Sequence, residues 1–442
     1  MKLSRFIFIV GLLLLAVACG NGELEPEPEP ELEYEAYDKK PELSETDSRY
    51  DLMFSGRYRS EYLDDLDFLY NTLIENFPFI NVIYRRSGVD LHYHFRILRE
   101  HIETIENIWD DQHFAGMLDG LFIQHAQSQG HFDMLTDRNF IKDHIEFFSY
   151  SVANNNYRFS HFLQEFDNPA TRNLHKFTDD DFKPPQTGEQ SSIYATSSNN
   201  IQTDILEDGR IAYVNILGMR GDTMHLDRET LFDFFHEVAD YEHLIIDIRQ
   251  NGGGHSNFFP NLVMYPNLNE TKEFYFYLFM MGGDHNRHML RPWFGEFGEA
   301  DGFRPINDAI IERLPYLNAD DLVFLDYYSP MHFYFEPVYG NAIFGGKIWL
   351  LVSEVNFSAS ELAADMAKNT GFATLVGETT SGDGIGFQPL ILTLPNTGIV
   401  IRYSAPYGTD SLGRNNQEFG TDPHIFNMPG KDALMTTLYL IG

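Results

Sequence analysis

Cysteine is almost absent from this sequence: its 442 residues include only one, Cys19. A single thiol cannot form a disulfide within the chain, so a region that folds outside the cytoplasm must depend on its apolar core. Basic residues are also few, with 31 Lys and Arg against 66 Asp and Glu and a formal net charge of -35. This balance argues against nucleic acid as a partner, and against binding an anionic lipid surface through a basic patch.

Long apolar runs are missing too, except at the start of the sequence. There Lys2 and Arg5 precede an apolar run over residues 6–17, and small residues stand directly before Cys19. The pattern resembles a bacterial lipobox and predicts a signal peptide over residues 1–18, with lipid attachment at Cys19. A plain signal peptide followed by an incidental cysteine is the alternative. We therefore expect an extracytoplasmic protein of the bacterial cell envelope that contacts a membrane only through its N-terminal lipid.

Composition divides the rest of the sequence into further segments. Residues 19–50 are rich in Glu and Pro, and such a charged segment cannot bury enough apolar area to fold, so an extended tether is predicted. Residues 51–136 carry apolar side chains at helical spacing, interrupted at Pro78, and indicate a small helical domain. Residues 137–200 are polar and form a connector to which the sequence assigns no structure.

Residues 201–442 alternate strand and helix patterns, which predicts a largely parallel sheet with right-handed crossovers. The apolar runs IAYVNILGM, HLIIDI and KIWLLVS are predicted strands. Functional loops of such a sheet lie at the carboxyl ends of its strands, and both Gly252 and Ser358 stand at such ends. The aromatic-rich residues 258–341 are either an inserted packing element or a cap that lines a groove.

The segment LVSEVNFSASELAADMAKNTG raises a question about Ser358, which follows an apolar run and precedes a helical pattern. Ser358 and Glu361 fit the S-x-x-E capping box, in which both side chains bind free backbone N–H groups of the first helical turn. The same position suits a catalytic serine, because the free N–H groups and the positive dipole end of a helix stabilise an oxyanion. Taken alone, the segment favours the cap.

Three other features suit acyl transfer, although each has an ordinary structural explanation. The turn RQNGGG follows a buried strand, and Gly252 and Gly253 allow its N–H groups to face a carbonyl oxygen; a plain strand-to-helix turn is the alternative. His131 lies in QSQGHFDML, and Glu418 lies in NNQEFGTDPHI. A lone histidine is usually a surface or packing residue, and a loop glutamate is usually solvated.

Together these segments resemble the tail-specific, or C-terminal processing, peptidase family of serine proteases, in the family's order and at about its separations. The motifs that carry the resemblance are YVNILGM, LIIDIRQNGGG, FSASE, GETTSGDG and EFGTDPHI. The resemblance covers the chain from about Glu61 onward. It implies a Clp-protease/crotonase-like α/β core preceded by a small helical domain, and a peptide or protein substrate. Relatives often carry a PDZ domain, but residues 137–200 are short for one, so none is expected.

The family has two catalytic styles, which the residue at position 383 distinguishes. The Ser/Lys style needs a lysine base where this sequence has Asp383, and an ionised carboxylate is too weak a base to deprotonate a hydroxyl effectively. We therefore expect Asp383 to matter little. The resemblance then implies the tricorn-core-like style, with nucleophile Ser358, base His131, orienting residue Glu418, and an oxyanion hole formed by the N–H groups of Ala359 and of Gly252 or Gly253.

Two other functions are open alternatives. Five histidines lie in two groups in the sequence. The first group is His92, His94 and His101, and the second is His285 and His288. Neither group has the H-E-x-x-H spacing of a metal-dependent peptidase, so no metal or other cofactor is expected. The same fold also serves in retinoid-binding modules, so a non-catalytic lipoprotein that binds peptides or apolar ligands is the second alternative. The joint presence of a serine, a histidine and a glutamate in the family's order favours the enzyme.

Overall fold

The computed structural model describes residues 51–122, 129–184, 195–298, 302–338 and 340–442. The expected signal peptide, the lipid-attachment residue Cys19 and the acidic tether lie outside these residues. The described residues belong to one compact unit, Ser48–Gly442. In this part of the chain, no helix combines the length and apolarity needed to cross a membrane.

The regular elements are numbered in chain order. The helices are α1 (Arg59–Asn76), α2 (Ile80–Ser87), α3 (Leu91–Thr104), α4 (Asp111–Phe122), α5 (Arg138–Ala153), α6 (Ser160–Phe166), α7 (Pro169–His175), α8 (Met224–Glu237), α9 (Asp284–Phe294), α10 (Asp308–Arg313), α11 (Ala319–Leu322), α12 (Ala359–Asn369), α13 (Asn416–Phe419) and α14 (Ala433–Ile441). The strands are β1 (Asp133–Leu135), β2 (Ile201–Glu207), β3 (Ile211–Ile216), β4 (His243–Asp247), β5 (Lys272–Met280), β6 (Arg304–Pro305), β7 (Tyr327–Phe335), β8 (Lys347–Val352), β9 (Thr374–Gly377), β10 (Leu390–Thr393), β11 (Val400–Tyr403), β12 (Tyr407–Thr409) and β13 (Ile425–Phe426). Short 3-10 or π-helical turns occupy Tyr157–Phe159, Pro260–Met264 and Tyr265–Asn267.

Helices α1 to α4 form the N-terminal region, where the sequence predicts helices. Pro78 lies between α1 and α2, because proline has no N–H to donate and cannot continue a helix interior. Asp90 caps α3 by accepting a hydrogen bond from the Tyr93 N–H. The predicted apolar face of α1 is buried and includes Leu66, Leu69, Tyr70 and Leu73.

The segment that the sequence left unassigned, residues 137–200, contains three helices where it is described. In α5 the ring of Phe148 packs 5.2 Å from Phe162 and 6.1 Å from Phe166, both on α6. Helix α7 begins with a proline at its first turn and is capped by the side chain of Asn168. The segment is polar overall, but its phenylalanines pack against one another and hold these helices together. Their positions, and not the polarity of the segment, indicate that it folds.

The largest sheet has the strand order β13-β9-β8-β4-β3-β2 and is parallel except for β2, which pairs antiparallel with β3. Asp247 at the end of β4 is level with Asn215 of β3 and Leu351 of β8. The carboxyl ends of the three central strands therefore share one edge, from which the turns to Gly252 and Ser358 leave. The predicted α/β core with a largely parallel sheet is confirmed.

Both faces of this sheet are covered, because successive side chains of a strand point to opposite sides. Leu244 and Ile246 of β4 join the main core that the sheet shares with the helical region. Ile245 of β4 and Trp349 of β8 face the other way and pack with Ala433 of α14. This double burial explains why these strands read as continuous apolar runs.

Two smaller antiparallel sheets complete the fold. The aromatic insertion contributes β5, β6 and β7 to a sheet with the order β12-β5-β7-β6, in which most of β5 is buried. The third sheet, with the order β1-β11-β10, joins the N-terminal region to the C-terminal half, and Arg402 binds Asp133 across it at 2.6 and 2.7 Å. The apolar segments PLILTL and IVIRYS form strands β10 and β11 of this antiparallel sheet, outside the parallel one. Strand β1 brings the residues before it, including His131, to the edge of the core.

Candidate active site

Ser358 lies between β8 and α12, at the position where the sequence allowed either a cap or a nucleophile. Its side chain makes no capping hydrogen bond to the helix. Glu361, the other half of the expected capping box, is fully buried and accepts instead from Asn416 at 2.7 Å and Thr421 at 2.6 Å. The capping interpretation is therefore wrong, and the Ser358 hydroxyl is available for another partner.

The neighbouring side chains Ser360 and Asn356 hold the turn that carries Ser358. Ser360 Oγ donates to the carbonyl oxygen of Asn251 at 2.6 Å and accepts from the Phe357 N–H at 3.0 Å. Asn356 Nδ2 donates to the carbonyl oxygens of Ile248 and Asn251 at 2.5 and 3.0 Å. These bonds fasten the serine turn to the glycine turn that follows β4.

His131 lies two residues before β1, and its ring reaches the serine turn. Its Nε2 is 3.1 Å from Ser358 Oγ, although 227 residues separate the two in the sequence. The ring centroid lies 4.7 Å from that of Phe357, and the imidazole is only 10% exposed. The structure therefore brings together two of the three residues that the sequence proposed for the catalytic centre.

Asp383 occupies the other side of the imidazole. Its Oδ2 lies 2.5 Å from His131 Nδ1, and the carboxylate is 2% exposed. Ser404 Oγ donates to the same carboxylate oxygen at 3.3 Å and lies 3.1 Å from His131 Nδ1. Donation from Nδ1–H to the carboxylate leaves Nε2 as the acceptor for the Ser358 hydroxyl proton. This is the arrangement of a Ser-His-Asp triad.

All three of these residues have backbone conformations that side-chain-bearing residues rarely adopt. The φ angles are 45° at His131, 57° at Ser358 and 60° at Asp383. Non-glycine residues at positive φ cost of the order of 1–3 kcal/mol each, and they persist where the surrounding structure holds them. Such strained positions gather at sites where function requires a particular side-chain direction.

Glu418, which the sequence placed beside the imidazole, lies elsewhere. Its carboxylate accepts two hydrogen bonds from Arg85 of α2, both at 2.8 Å. Arg85 also forms a two-bond contact with the fully buried carboxylate of Asp321, at 2.9 and 2.7 Å. The prediction that Glu418 orients His131 is therefore contradicted. Its partner lies 333 residues earlier in the chain, where no local sequence signal points to it.

Asp383 is the residue that sequence reasoning missed, because an aspartate in place of lysine was judged only as a base. It is held between two glycines that permit close backbone packing. A Cβ at Gly382 would lie 2.4 Å from the carbonyl oxygen of Asn416, and a Cβ at Gly384 would lie 2.4 Å from the backbone nitrogen of Leu362. The sequence S-G-D-G was the available signal: a carboxylate on a tight turn suits orientation of a base as well as replacement of one.

The expected oxyanion hole is partly assembled. A Cβ at Gly253 would lie 3.0 Å from Ser358 Cβ and 3.1 Å from the backbone nitrogen of Ala359, so only glycine allows this approach. Ala359 is the first residue of α12, and its N–H has no acceptor within the helix. The Gly253 N–H donates to Asn251 Oδ1 at 2.9 Å, however, so this group is already occupied here. Of the two glycines, Gly252 is the better candidate for the second donor.

The histidine clusters considered for metal binding have other contacts. His285 Nε2 donates to the Ile391 carbonyl oxygen at 3.0 Å, and burial lowers the pKa of this imidazole to about 4. His92 Nδ1 lies 2.8 Å from the hydroxyl of Tyr70. Within the described ranges, no three His, Cys, Asp or Glu side chains form a group that could hold a metal ion.

Comparison with known proteins agrees with this fold. Residues 210–426 match the model of peptidase family S41. No curated protein matches the sequence. Among solved structures, the chain is similar to a Parabacteroides merdae ATCC 43184 protein assigned to the peptidases, with TM-score 0.50, 18% identity, and coverage of 86% of this chain and 96% of that one.

Two further structures are similar at lower TM-scores. Mature CPAF has TM-score 0.47 and 15% identity, with 83% of this chain and 92% of that chain covered. The photosystem II D1 C-terminal processing protease has TM-score 0.33 and 17% identity, with 53% of this chain and 50% of that chain covered. At these scores neither adds to the argument for the fold. The match of residues 210–426 to the model of peptidase family S41 does, and it confirms the predicted resemblance to tail-specific peptidases. This match supports a serine-type peptidase.

Proposed function

We propose that this protein hydrolyses peptide bonds through an acyl-enzyme formed on Ser358. The observation that carries the proposal is the position of His131, with Nε2 at 3.1 Å from Ser358 Oγ and Nδ1 at 2.5 Å from Asp383 Oδ2. A buried carboxylate, an imidazole and a hydroxyl in this order give a base that is held in one tautomer and directed at the nucleophile.

The steps follow from this geometry. His131 Nε2 takes the Ser358 hydroxyl proton as Oγ attacks the peptide carbonyl carbon, and Asp383 remains ionised and stabilises the imidazolium. The imidazolium then gives its proton to the leaving amine. A water molecule then attacks the carbonyl carbon of the acyl-enzyme while His131 Nε2 takes its proton. His131 returns this proton to Ser358 Oγ as the acyl group leaves.

The negative oxygen of the tetrahedral intermediate needs hydrogen-bond donors beside Ser358. The Ala359 N–H is one, because it is unpaired within α12 and lies at the positive end of that helix's dipole. The Gly252 N–H, in the turn fastened to the serine turn, is the second. Removing one donor from such a site costs on the order of 100-fold or more in turnover.

A fluorophosphonate probe tests the proposal directly. Wild type should be labelled at Ser358 and should hydrolyse an unstructured protein such as casein, while Ser358→Ala and His131→Ala should lose both properties. If wild type is neither labelled nor active, the non-catalytic binding alternative replaces the enzyme. Labelling that persists in Ser358→Ala would place the nucleophile elsewhere.

We also propose that the protein is exported and held to a membrane by a lipid on Cys19. The support is the sequence pattern alone: a basic start, an apolar run over residues 6–17 and small residues before the cysteine. Replacement of Cys19 by Ala should move the protein from the membrane fraction to the soluble fraction of an expressing bacterium. Unchanged membrane retention would contradict the lipid anchor.

A further inference from the structure

Helix α2 of the N-terminal region reaches the loop of Asp383 through the side chain of Arg86. The Nη1 atom of Arg86 donates to the carbonyl oxygen of Gln417 at 2.5 Å and to that of Ser381 at 3.3 Å. Nη1 carries two N–H donors in a rigid plane, so it holds two carbonyl groups in fixed relative positions. Ser381 stands two residues before Asp383 and 295 residues after Arg86. A helix near the start of the folded part thus binds the loop that carries the triad carboxylate.

The same loop supports the nucleophile. The Gly382 carbonyl oxygen accepts from the Ser358 N–H at 3.2 Å, and the Ser381 N–H donates to the Asn356 carbonyl oxygen at 2.8 Å. Asp383 follows directly in the chain, with its carboxylate turned toward the imidazole. A shift of this loop would therefore disturb the triad carboxylate and the serine turn together.

The loop before the triad carboxylate lies against helix α13 at Gly382. A Cβ at Gly382 would lie 2.4 Å from the carbonyl oxygen of Asn416 and 2.9 Å from that of Gln417, so the two backbones are in close contact. Arg86 donates to one carbonyl on each side of this contact, that of Ser381 on the loop and that of Gln417 on α13. It therefore joins the two segments where they meet, next to the triad carboxylate.

Arg86 differs from its neighbour Arg85 in the groups that it binds. Arg85 forms ion pairs with Asp321 at 2.7 Å and with Glu418 at 2.8 Å. No carboxylate in the described part of the chain lies within ion-pair distance of Arg86, and its hydrogen bonds go to backbone carbonyls. Partial burial lowers the pKa of Arg86, and the charge of Glu418 acts in the opposite direction. A guanidinium that is partly withdrawn from water needs other acceptors, and the two carbonyls supply them. Arg86 is therefore suited to fixing a backbone position more than to pairing charges.

We propose that Arg86 is a positioning residue of the triad, which holds the loop of Asp383 against α13 and so keeps the carboxylate directed at His131. This role rests on the proposed peptidase function, and it makes helix α2 part of the machinery that the reaction needs. Arg86 does not line the cavity of about 810 Å³ that lies beside His131. Its loss should therefore affect the chemical step and leave substrate affinity nearly unchanged.

Steady-state kinetics on a peptide substrate test this role with two substitutions of Arg86. Arg86→Gln shortens the side chain and removes its charge. It should lower kcat by about tenfold or more, because small misplacements of catalytic groups have effects of this size, and should change KM by less than about twofold. Arg86→Lys keeps the charge and hydrogen-bond donors and should retain more of kcat than Arg86→Gln. Equal kcat values for these two variants would contradict the role.

Arg59→Gln is the matched control. Arg59 lies on α1 of the same helical region, and its Nη1 also donates to two backbone carbonyl oxygens, those of Ile102 at 2.5 Å and Ile105 at 2.7 Å. These carbonyls lie at the end of α3 and not at the triad. Arg59→Gln should lower the melting temperature at least as much as Arg86→Gln and leave kcat nearly unchanged, with every variant assayed below its melting temperature.

Proton NMR follows the triad contact without relying on turnover. The proton between His131 Nδ1 and Asp383 should give a resonance far downfield of the amide protons, identified by its loss in Asp383→Asn. Arg86→Gln should shift or weaken this resonance, and Arg59→Gln should leave it in place. An unchanged resonance in Arg86→Gln, or equal kcat values for Arg86→Gln and Arg59→Gln, would overturn the role of Arg86. Absence of fluorophosphonate labelling in wild type would instead contradict the peptidase function, so the two failures are distinguishable.

Discussion

Asn416 Oδ1 accepts the backbone N–H of Gly384 at 2.8 Å, directly after Asp383. The same amide oxygen accepts the Ile385 N–H at 3.2 Å, and Nδ2 donates to Glu361 Oε1 at 2.7 Å. Glu361 lies in the first turn of α12, three residues after Ser358. One buried side chain therefore joins the loop that holds the triad carboxylate to the helix that begins at the nucleophile.

We expect Asn416→Ala to displace the loop of Asp383 and to lower kcat by roughly 10- to 100-fold, since small misplacements of catalytic groups have effects of this size. KM should change little, because Asn416 is not among the residues that line the cavity beside His131. Steady-state kinetics on a peptide substrate measure both.

The control is Asn267→Ala, which removes a similarly buried amide that binds Val263 and Phe344 at 2.9 and 3.0 Å. It should lower stability to a similar extent and leave kcat nearly unchanged. Equal losses of kcat in the two variants would show that Asn416 contributes only to stability, and would contradict its role in positioning Asp383.

Asp383→Asn should reduce kcat by about 10⁴-fold, because an amide at this position favours the wrong imidazole tautomer and cannot stabilise an imidazolium. Glu418→Gln should change kcat by a few-fold at most, since its carboxylate binds Arg85 and not His131. Measured turnover of both variants tests this order. The reverse order would restore the sequence-based assignment of Glu418.

Ser358→Gly should abolish hydrolysis and raise stability by about 1 kcal/mol, because glycine adopts positive φ without the strain that a side chain brings. Urea unfolding of Ser358→Gly against Ser358→Ala isolates the backbone contribution, as both lack the hydroxyl. If the two variants unfold at the same urea concentration, the φ of 57° at Ser358 stores no strain.

Asp365 should make the fold less stable as the pH rises. Burial, together with the charge of Glu361, raises the pKa of this carboxyl from 3.8 to about 7. Between about pH 4 and pH 7 the unfolded state therefore loses the proton before the native state does, and the free energy of unfolding falls through this range. Asp365→Asn should remove this dependence, so its melting temperature should exceed that of wild type more at pH 8 than at pH 5. A constant difference would contradict the raised pKa.

Sequence periodicity determined the secondary structure of the core. The runs IAYVNILGM, HLIIDI and KIWLLVS are strands β3, β4 and β8, because a doubly covered parallel sheet needs continuous apolar strands. The positions of Gly252 and Ser358 at strand ends also followed, since a βαβ order places such turns on one edge. The resemblance to tail-specific peptidases, more than any local pattern, paired His131 with Ser358.

Only the tertiary structure decided which carboxylate contacts the imidazole of His131. Glu418 and Asp383 both have a glycine within two residues in the sequence, and the local sequence of each permits contact with an imidazole. Arg85, from a helix far away in the chain, binds Glu418, while the contact of Asn416 with the loop of Asp383 turns the latter toward His131. Sequence spacing sets which residues are available, but the choice between two carboxylates depends on contacts across hundreds of residues, which no local pattern records.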